Sequence, residues 1–222
     1  MASPIKDQWE SPDGSVRLIL GDCLEVLPTL SGIDAVVTDP PYPGREDLFP
    51  TDSVWVVLRS VCRQFPSFVF WPATANYPCG EPDGVHVWHK AVPIHKNSET
   101  GNTGSKQYER ILSYRAGRAC EVYRIAAIIP GFAACENECV EHPTQKPLRL
   151  VERLCSKMTG TILDPYMGSG TTGVACVRTE RRFVGIEIKE KYFRIAVKRI
   201  KAELERFPLF EPPKPKQLEL IS

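Results

Sequence analysis

Near its carboxyl end the chain reads Thr161-Ile162-Leu163, then Asp164-Pro165-Tyr166-Met167-Gly168-Ser169-Gly170-Thr171-Thr172-Gly173, then a helical pattern to about Thr179. A strand that feeds a glycine-rich turn and a helix brings backbone N–H groups and a helix N-terminus up to a ligand. Binding a nucleoside this way needs a β-α-β-α-β run. After the next strand, Phe183 to Glu187, a single charged helix remains, ending at about Arg206. The missing strand must come from elsewhere, and Leu18 to Asp22 near the start is the best candidate. The parts then stand in circularly permuted order relative to a fold that begins with its glycine loop.

The remainder of the chain supplies the other layers. Strands are expected at 16–20, 34–38, 68–71, 85–88 and 110–114, and helices at 23–30, 53–64 and 146–158. Residues 72–84 carry too many prolines and glycines for a crossover helix. Strands alternating with helices predict an α/β fold with an open, mostly parallel sheet. The 222 residues suit a single domain over 1–206 with a short segment of no clean periodicity at 118–141. The tail, 207–222, holds four prolines and is expected to be extended or disordered.

Gly168, Gly170 and Gly173 spell G-x-G-x-x-G, which also suits a dinucleotide, with Glu187 placed to hold a ribose. A Walker-type phosphate loop is disfavoured because no lysine precedes Thr171. A second motif decides between these readings. Asp39-Pro40-Pro41-Tyr42 follows the predicted strand 34–38, at the sheet edge where open α/β folds bind ligands. An exocyclic amine on a nucleobase is a poor nucleophile, because its lone pair is delocalised into the ring. Two acceptors aimed at the NH₂, the Asp39 carboxylate and the Pro40 carbonyl, draw it toward sp³ geometry and offset the charge that develops. Pro41 fixes the carbonyl's direction, and Tyr42 offers a face on which an extruded base can stack.

Together the two motifs resemble the amino-methyltransferases of DNA, which modify adenine N6 or cytosine N4. The order, catalytic motif first and cofactor motif last, is similar to the family's β-group. The resemblance implies a Rossmann-like methyltransferase fold, S-adenosyl-L-methionine as cofactor and double-stranded DNA as partner. It carries catalysis onto Asp39, Pro40, Pro41 and Tyr42. It carries cofactor binding onto Asp22 and Cys23, onto Thr144 and Lys146 of the His142-Pro143-Thr144-Gln145-Lys146-Pro147 segment, and onto Asp164, Pro165, Tyr166, Gly168, Gly170, Thr171, Thr172 and Glu187. Aspartate rather than serine at position 39 leans toward adenine.

Net charge is only +1, so DNA affinity must be local. Lys96, Lys106, Arg110 and Arg118 are the candidate phosphate contacts, in a stretch that also holds Lys90 and Arg115. Segment 118–141 is too short for a recognition domain, which leaves room for a second subunit, a homodimer, to share recognition. Eight cysteines scattered through apparent strands and helices suit a reducing cytoplasm, and the first ten residues lack the apolar core of a signal peptide. Cys120, Cys135, Cys139 and His142 are irregularly spaced and are not read as a metal site. Pro78-Cys79 is read as a loop cysteine rather than the nucleophile of a cytosine-C5 enzyme. A nicotinamide oxidoreductase accounts for the glycines but not for residues 39–42. A catalytically silent nucleic-acid-binding module would be expected to lack a key motif residue, and none is missing.

Overall fold

The computed structural model describes residues 3–42, 51–73, 75–89, 108–117, 120–124 and 145–206. They form nine strands: β1 (Ile5–Glu10), β2 (Val16–Gly21), β3 (Ala35–Thr38), β4 (Ser67–Trp71), β5 (Gly84–His89), β6 (Tyr108–Tyr114), β7 (Val122–Arg124), β8 (Thr161–Asp164) and β9 (Arg182–Glu187). The helices are α1 (Cys23–Val26), α2 (Thr51–Gln64), α3 (Leu148–Cys155), α4 (Thr171–Arg178) and α5 (Glu190–Arg206). A 3-10 turn over Leu27–Thr29 extends α1.

All nine strands join one sheet in the order β1-β2-β9-β8-β3-β4-β6-β5-β7. The centre, β2-β9-β8-β3-β4, is parallel throughout. Strand β2 pairs with β9, Leu20 opposite Glu187, so the amino-terminal strand does complete the glycine-loop half. The permuted order is thus realised in the sheet. The flanks hold the antiparallel minority of a sheet that is, as expected, mostly parallel. Strand β1 runs antiparallel to β2, and β6 runs antiparallel to both β4 and β5. Strand β7 pairs parallel with β5, and β1 and β7 lie outside the strands expected from the sequence.

The central strands are buried on both faces, and their alternate side chains feed two separate cores. Phe68, Phe70, Ile162 and Phe183 meet α3, α4 and α5. Val69, Trp71, Leu163 and Ile186 meet α1 and α2. In α2 the buried Val54, Leu58, Val61 and Cys62 recur at helical spacing. The carboxyl helix α5 is charged, yet it buries Phe193, Ala196 and Ile200 on one stripe, with Glu203 paired to Arg178 at 2.6 Å.

That stripe explains two of the three motif glycines. Gly170 has φ +83°, and a Cβ there would lie 2.8 Å from the Ala196 Cβ. At Gly173 a Cβ would come within 2.4 Å of Ile200 Cδ1 and 2.8 Å of Phe183 Cε1. Glycine is needed at both so that α4 and α5 can approach, independently of any ligand. No helix among the described residues is long and apolar enough to cross a membrane.

Candidate active site

Three adjacent parallel strands, β2, β9 and β8, bring the ends of their loops to the same edge of the sheet. Asp22 follows β2 and caps α1, its carboxylate accepting from the Leu24 N–H at 2.9 Å. Glu187 ends β9. One of its oxygens accepts from the Gly168 N–H at 3.0 Å and the other from the Lys189 N–H at 2.8 Å. Burial raises the Glu187 carboxyl above its usual range, and the two backbone donors draw it part of the way back. Tyr166 has the Cys23 thiol beside it, and burial pushes that thiol up to about 11. The Tyr166 hydroxyl is buried without an ordinary hydrogen bond among the described residues. Asp22, Cys23, Tyr166, Gly168 and Glu187 thus line one stretch of the edge.

Other residues of the glycine motif have their side chains occupied by the scaffold. The Asp164 carboxylate is 2% exposed and accepts from the Thr38 hydroxyl at 2.7 Å, the Tyr166 N–H at 3.1 Å and the Thr172 hydroxyl at 2.6 Å. Burial still dominates, pushing this carboxyl up to about 6. Asp164 therefore links the end of β3 to the glycine loop, directly beneath Asp39. The Thr171 hydroxyl accepts from Arg199, whose guanidinium also holds the Ser169 carbonyl at 2.7 Å. Pro165 is buried behind this loop.

Beyond Thr38 the chain turns through Asp39, Pro40, Pro41 and Tyr42. Lys146, just ahead of α3, places its ammonium 2.8 Å from Asp39 Oδ2 and 3.3 Å from Glu109 Oε2. The Tyr42 hydroxyl donates to the same Glu109 oxygen at 3.0 Å. Lys146 also lies 5.2 Å from the Tyr42 ring centroid and 5.3 Å from that of Phe70. Trp71, ending β4, meets Tyr42 edge-on at 6.2 Å. The second Asp39 oxygen, Oδ1, is buried with no hydrogen-bond partner among the described residues. Burial raises the Asp39 carboxyl above its usual range, although Lys146 acts the other way. Burial lowers Lys146, but Asp39 and Glu109 together more than reverse that and keep it charged. A carboxylate held against the Lys146 ammonium beside an aromatic ring, with an Oδ1 that has no partner among the described residues, can accept from a planar N–H donor.

The structure therefore gathers the four residues of the 39–42 motif with Lys146, which the resemblance had assigned to the cofactor. It adds Glu109, which no local signal in the sequence marked. It engages Arg110 elsewhere: the guanidinium donates to the Pro72 carbonyl at 2.6 Å and to the Ala75 carbonyl, and stacks over Tyr77 at 5.0 Å. Arg110 braces the loop after β4 and is not presented as a free phosphate contact. Cys79 lies in that loop against Cys62 of α2. Thr144, Lys90, Lys96, Lys106, Arg118, Cys135, Cys139 and His142 lie outside the described residues, as do most of segment 118–141 and the tail 207–222. Cys120 is exposed.

Comparison with known proteins bears on the whole edge. The chain is 52% identical to the Type II methyltransferase M2.DpnII of Streptococcus pneumoniae over 68 residues, which are 29% of this chain and 25% of that protein. It is 25% identical to the Type II methyltransferase M.HpaI of Haemophilus parainfluenzae over 86% of this chain and 76% of that one. The chain thus spans a quarter of the first relative and three quarters of the second. Among solved structures, the complex of M1.HpyAVI with SAM superposes with a TM-score of 0.61 at 24% identity, covering 83% of this chain and 98% of the other, a likeness of fold. The model of the DNA methylase family matches residues 86–198, just over half of the sequence. This chain belongs to the DNA methylase family, the amino-methyltransferases that act on adenine N6 or cytosine N4.

Proposed function

We propose that this enzyme transfers the methyl group of S-adenosylmethionine to an exocyclic amine of double-stranded DNA, adenine N6 in preference to cytosine N4. The observation that carries the chemistry is the buried Oδ1 of Asp39 at the end of β3, which has no hydrogen-bond partner among the described residues. Aspartate at position 39 supports the adenine preference through its likeness to the family's adenine enzymes.

The residues at the β2, β9 and β8 ends fit the cofactor. Glu187 keeps a lone pair on each oxygen for a ribose diol, Asp22 has a carboxylate oxygen beyond its capping bond, and the buried Tyr166 hydroxyl has only the weak Cys23 thiol beside it among the described residues. Cys23 and Gly168 complete that edge, and the resemblance assigns Thr144 to the same cofactor. The side chains of Asp164, Thr171 and Thr172 shape the loop, so their part in binding falls to the backbone around Pro165 and Gly170.

When bound, the cofactor supplies an activated methyl group on a sulfonium sulfur, so no metal is required. Asp39 then accepts one amine hydrogen and the Pro40 carbonyl the other. Tyr42 stacks on the extruded base, and Pro41 keeps the turn rigid. Positioning and preorganised charge carry most of the acceleration. Lys96, Lys106 and Arg118 would hold phosphates, with recognition drawing on segment 118–141 and, in a homodimer, on a second subunit. The likeness to Type II methyltransferases supports a place in restriction-modification.

Mass spectrometry of nucleosides from DNA incubated with enzyme and cofactor tests the reading. N6-methyladenine is the expected product, and N4-methylcytosine would overturn the base preference. Asp39→Ala should lower turnover by about a hundredfold or more with cofactor affinity kept. Unmodified DNA from an enzyme that binds the cofactor would overturn the reading itself.

A further inference from the structure

Glu109 reaches the catalytic motif because of strand direction. Strand β6 is antiparallel to β4, with Arg110 opposite Trp71, so β6 begins where the parallel strands end. Its second residue therefore projects at the same edge as Asp39. There it shares the Lys146 ammonium with Asp39, Lys146 being 8% exposed and Glu109 14% exposed. Its Oε2 also holds the Tyr42 hydroxyl.

We propose that Glu109 is a positioning residue for methyl transfer: by taking part of the charge of Lys146 it keeps Asp39 a strong hydrogen-bond acceptor, and by holding Tyr42 it sets the stacking ring. The proposal rests on Asp39 being the acceptor for the target amine. Lys146 alone would orient Asp39 but would also satisfy it, leaving a weaker pull on the amine. A second carboxylate on the far side of the ammonium dilutes that effect. The charged and titratable groups facing Asp39 among the described residues are Lys146, Glu109, Tyr42 and, from the end of β8, Asp164. Glu109 acts on Asp39 in the same direction as burial, opposing Lys146.

Removing the Glu109 charge therefore has a defined sign. Asp39 comes under the undiluted field of Lys146, its proton affinity falls, and the acidic limb of the rate profile moves to lower pH. A weaker acceptor pulls less on the amine, so transfer slows by far less than on removing Asp39 itself.

The test is the single-turnover methylation rate of saturated enzyme against pH, for the wild type, Glu109→Gln, Glu109→Asp, Tyr42→Phe and Asp39→Asn, with cofactor binding by calorimetry on each. Glu109→Gln should bind cofactor normally, slow transfer severalfold and shift the acidic limb downward. Glu109→Asp, which keeps the charge, should leave the limb in place even where the rate falls. Tyr42→Phe, which removes a hydroxyl that lowers the Asp39 carboxyl, should slow transfer and move the limb upward, opposite to Glu109→Gln. A Glu109→Gln limb that stays put, or a Glu109→Asp limb that moves as far as the Gln one, overturns the proposal. Full activity in Asp39→Asn would instead overturn the assignment of Asp39 on which it rests.

Discussion

Asp164→Asn isolates the cost of keeping a charge beneath the active site. The wild-type carboxyl is raised from 3.8 to about 6, burial being the largest cause and the hydrogen bonds from Thr172, Thr38 and Tyr166 only part of the compensation. A carboxyl whose folded pKa lies above its unfolded value contributes its full stability below pH 3.8 and loses it as pH rises through 6. At about 1.4 kcal/mol per pKa unit, that loss is on the order of 3 kcal/mol. Asparagine is nearly isosteric and does not titrate. It still accepts from Thr38 and Tyr166 through its oxygen, and it donates to Thr172 once that hydroxyl reverses. The variant should match the wild type near pH 4 and gain on it up to pH 7, by as much as a few kcal/mol. Urea unfolding of both proteins from pH 4 to 8 measures this, since titrating groups that do not interact with Asp164 cancel in the difference, and its coupling to Asp39 has the same sign as the burial. Methyl transfer should meanwhile fall, because Thr38 next to Asp39 has lost a charged acceptor. A stability difference that is flat with pH, or that grows against asparagine as pH rises, would refute the reasoning.

Gly173→Ala places a methyl against Ile200 and Phe183 at less than van der Waals distance. It should destabilise the fold by about 1–3 kcal/mol in chemical denaturation while the folded fraction keeps its cofactor affinity, since α5 and not ligand is the neighbour. Arg110→Ala should loosen the loop after β4, seen as faster hydrogen exchange over residues 72–77. The salt dependence of DNA binding should keep its slope, because the guanidinium is engaged with backbone carbonyls. A slope lower by about one would return Arg110 to the phosphate contacts.

Most of the sheet was legible in the sequence because strands buried on both faces read as apolar runs, and β3, β4, β8 and β9 are of that kind. Strand β1 was not, because its burial merely alternates along Ile5–Glu10. Strand β7 is three residues long, too short for a periodicity to register.

The two motifs could be read locally because their chemistry is carried by backbone form: prolines that stiffen a strand end, glycines that let a helix start beside it. The permuted order followed from counting the strands left after the glycine loop. No such local rule links residues 39, 109 and 146. Their meeting depends on β6 running antiparallel to β4 and on the turn into α3, so the neighbours of the Asp39 carboxylate were set by sheet topology. The same holds for Asp164, Thr171 and Thr172. The sequence could place them in a ligand-binding loop, but only packing decided that their side chains would turn inward, because a buried carboxylate or hydroxyl takes the nearest donor or acceptor the fold offers it.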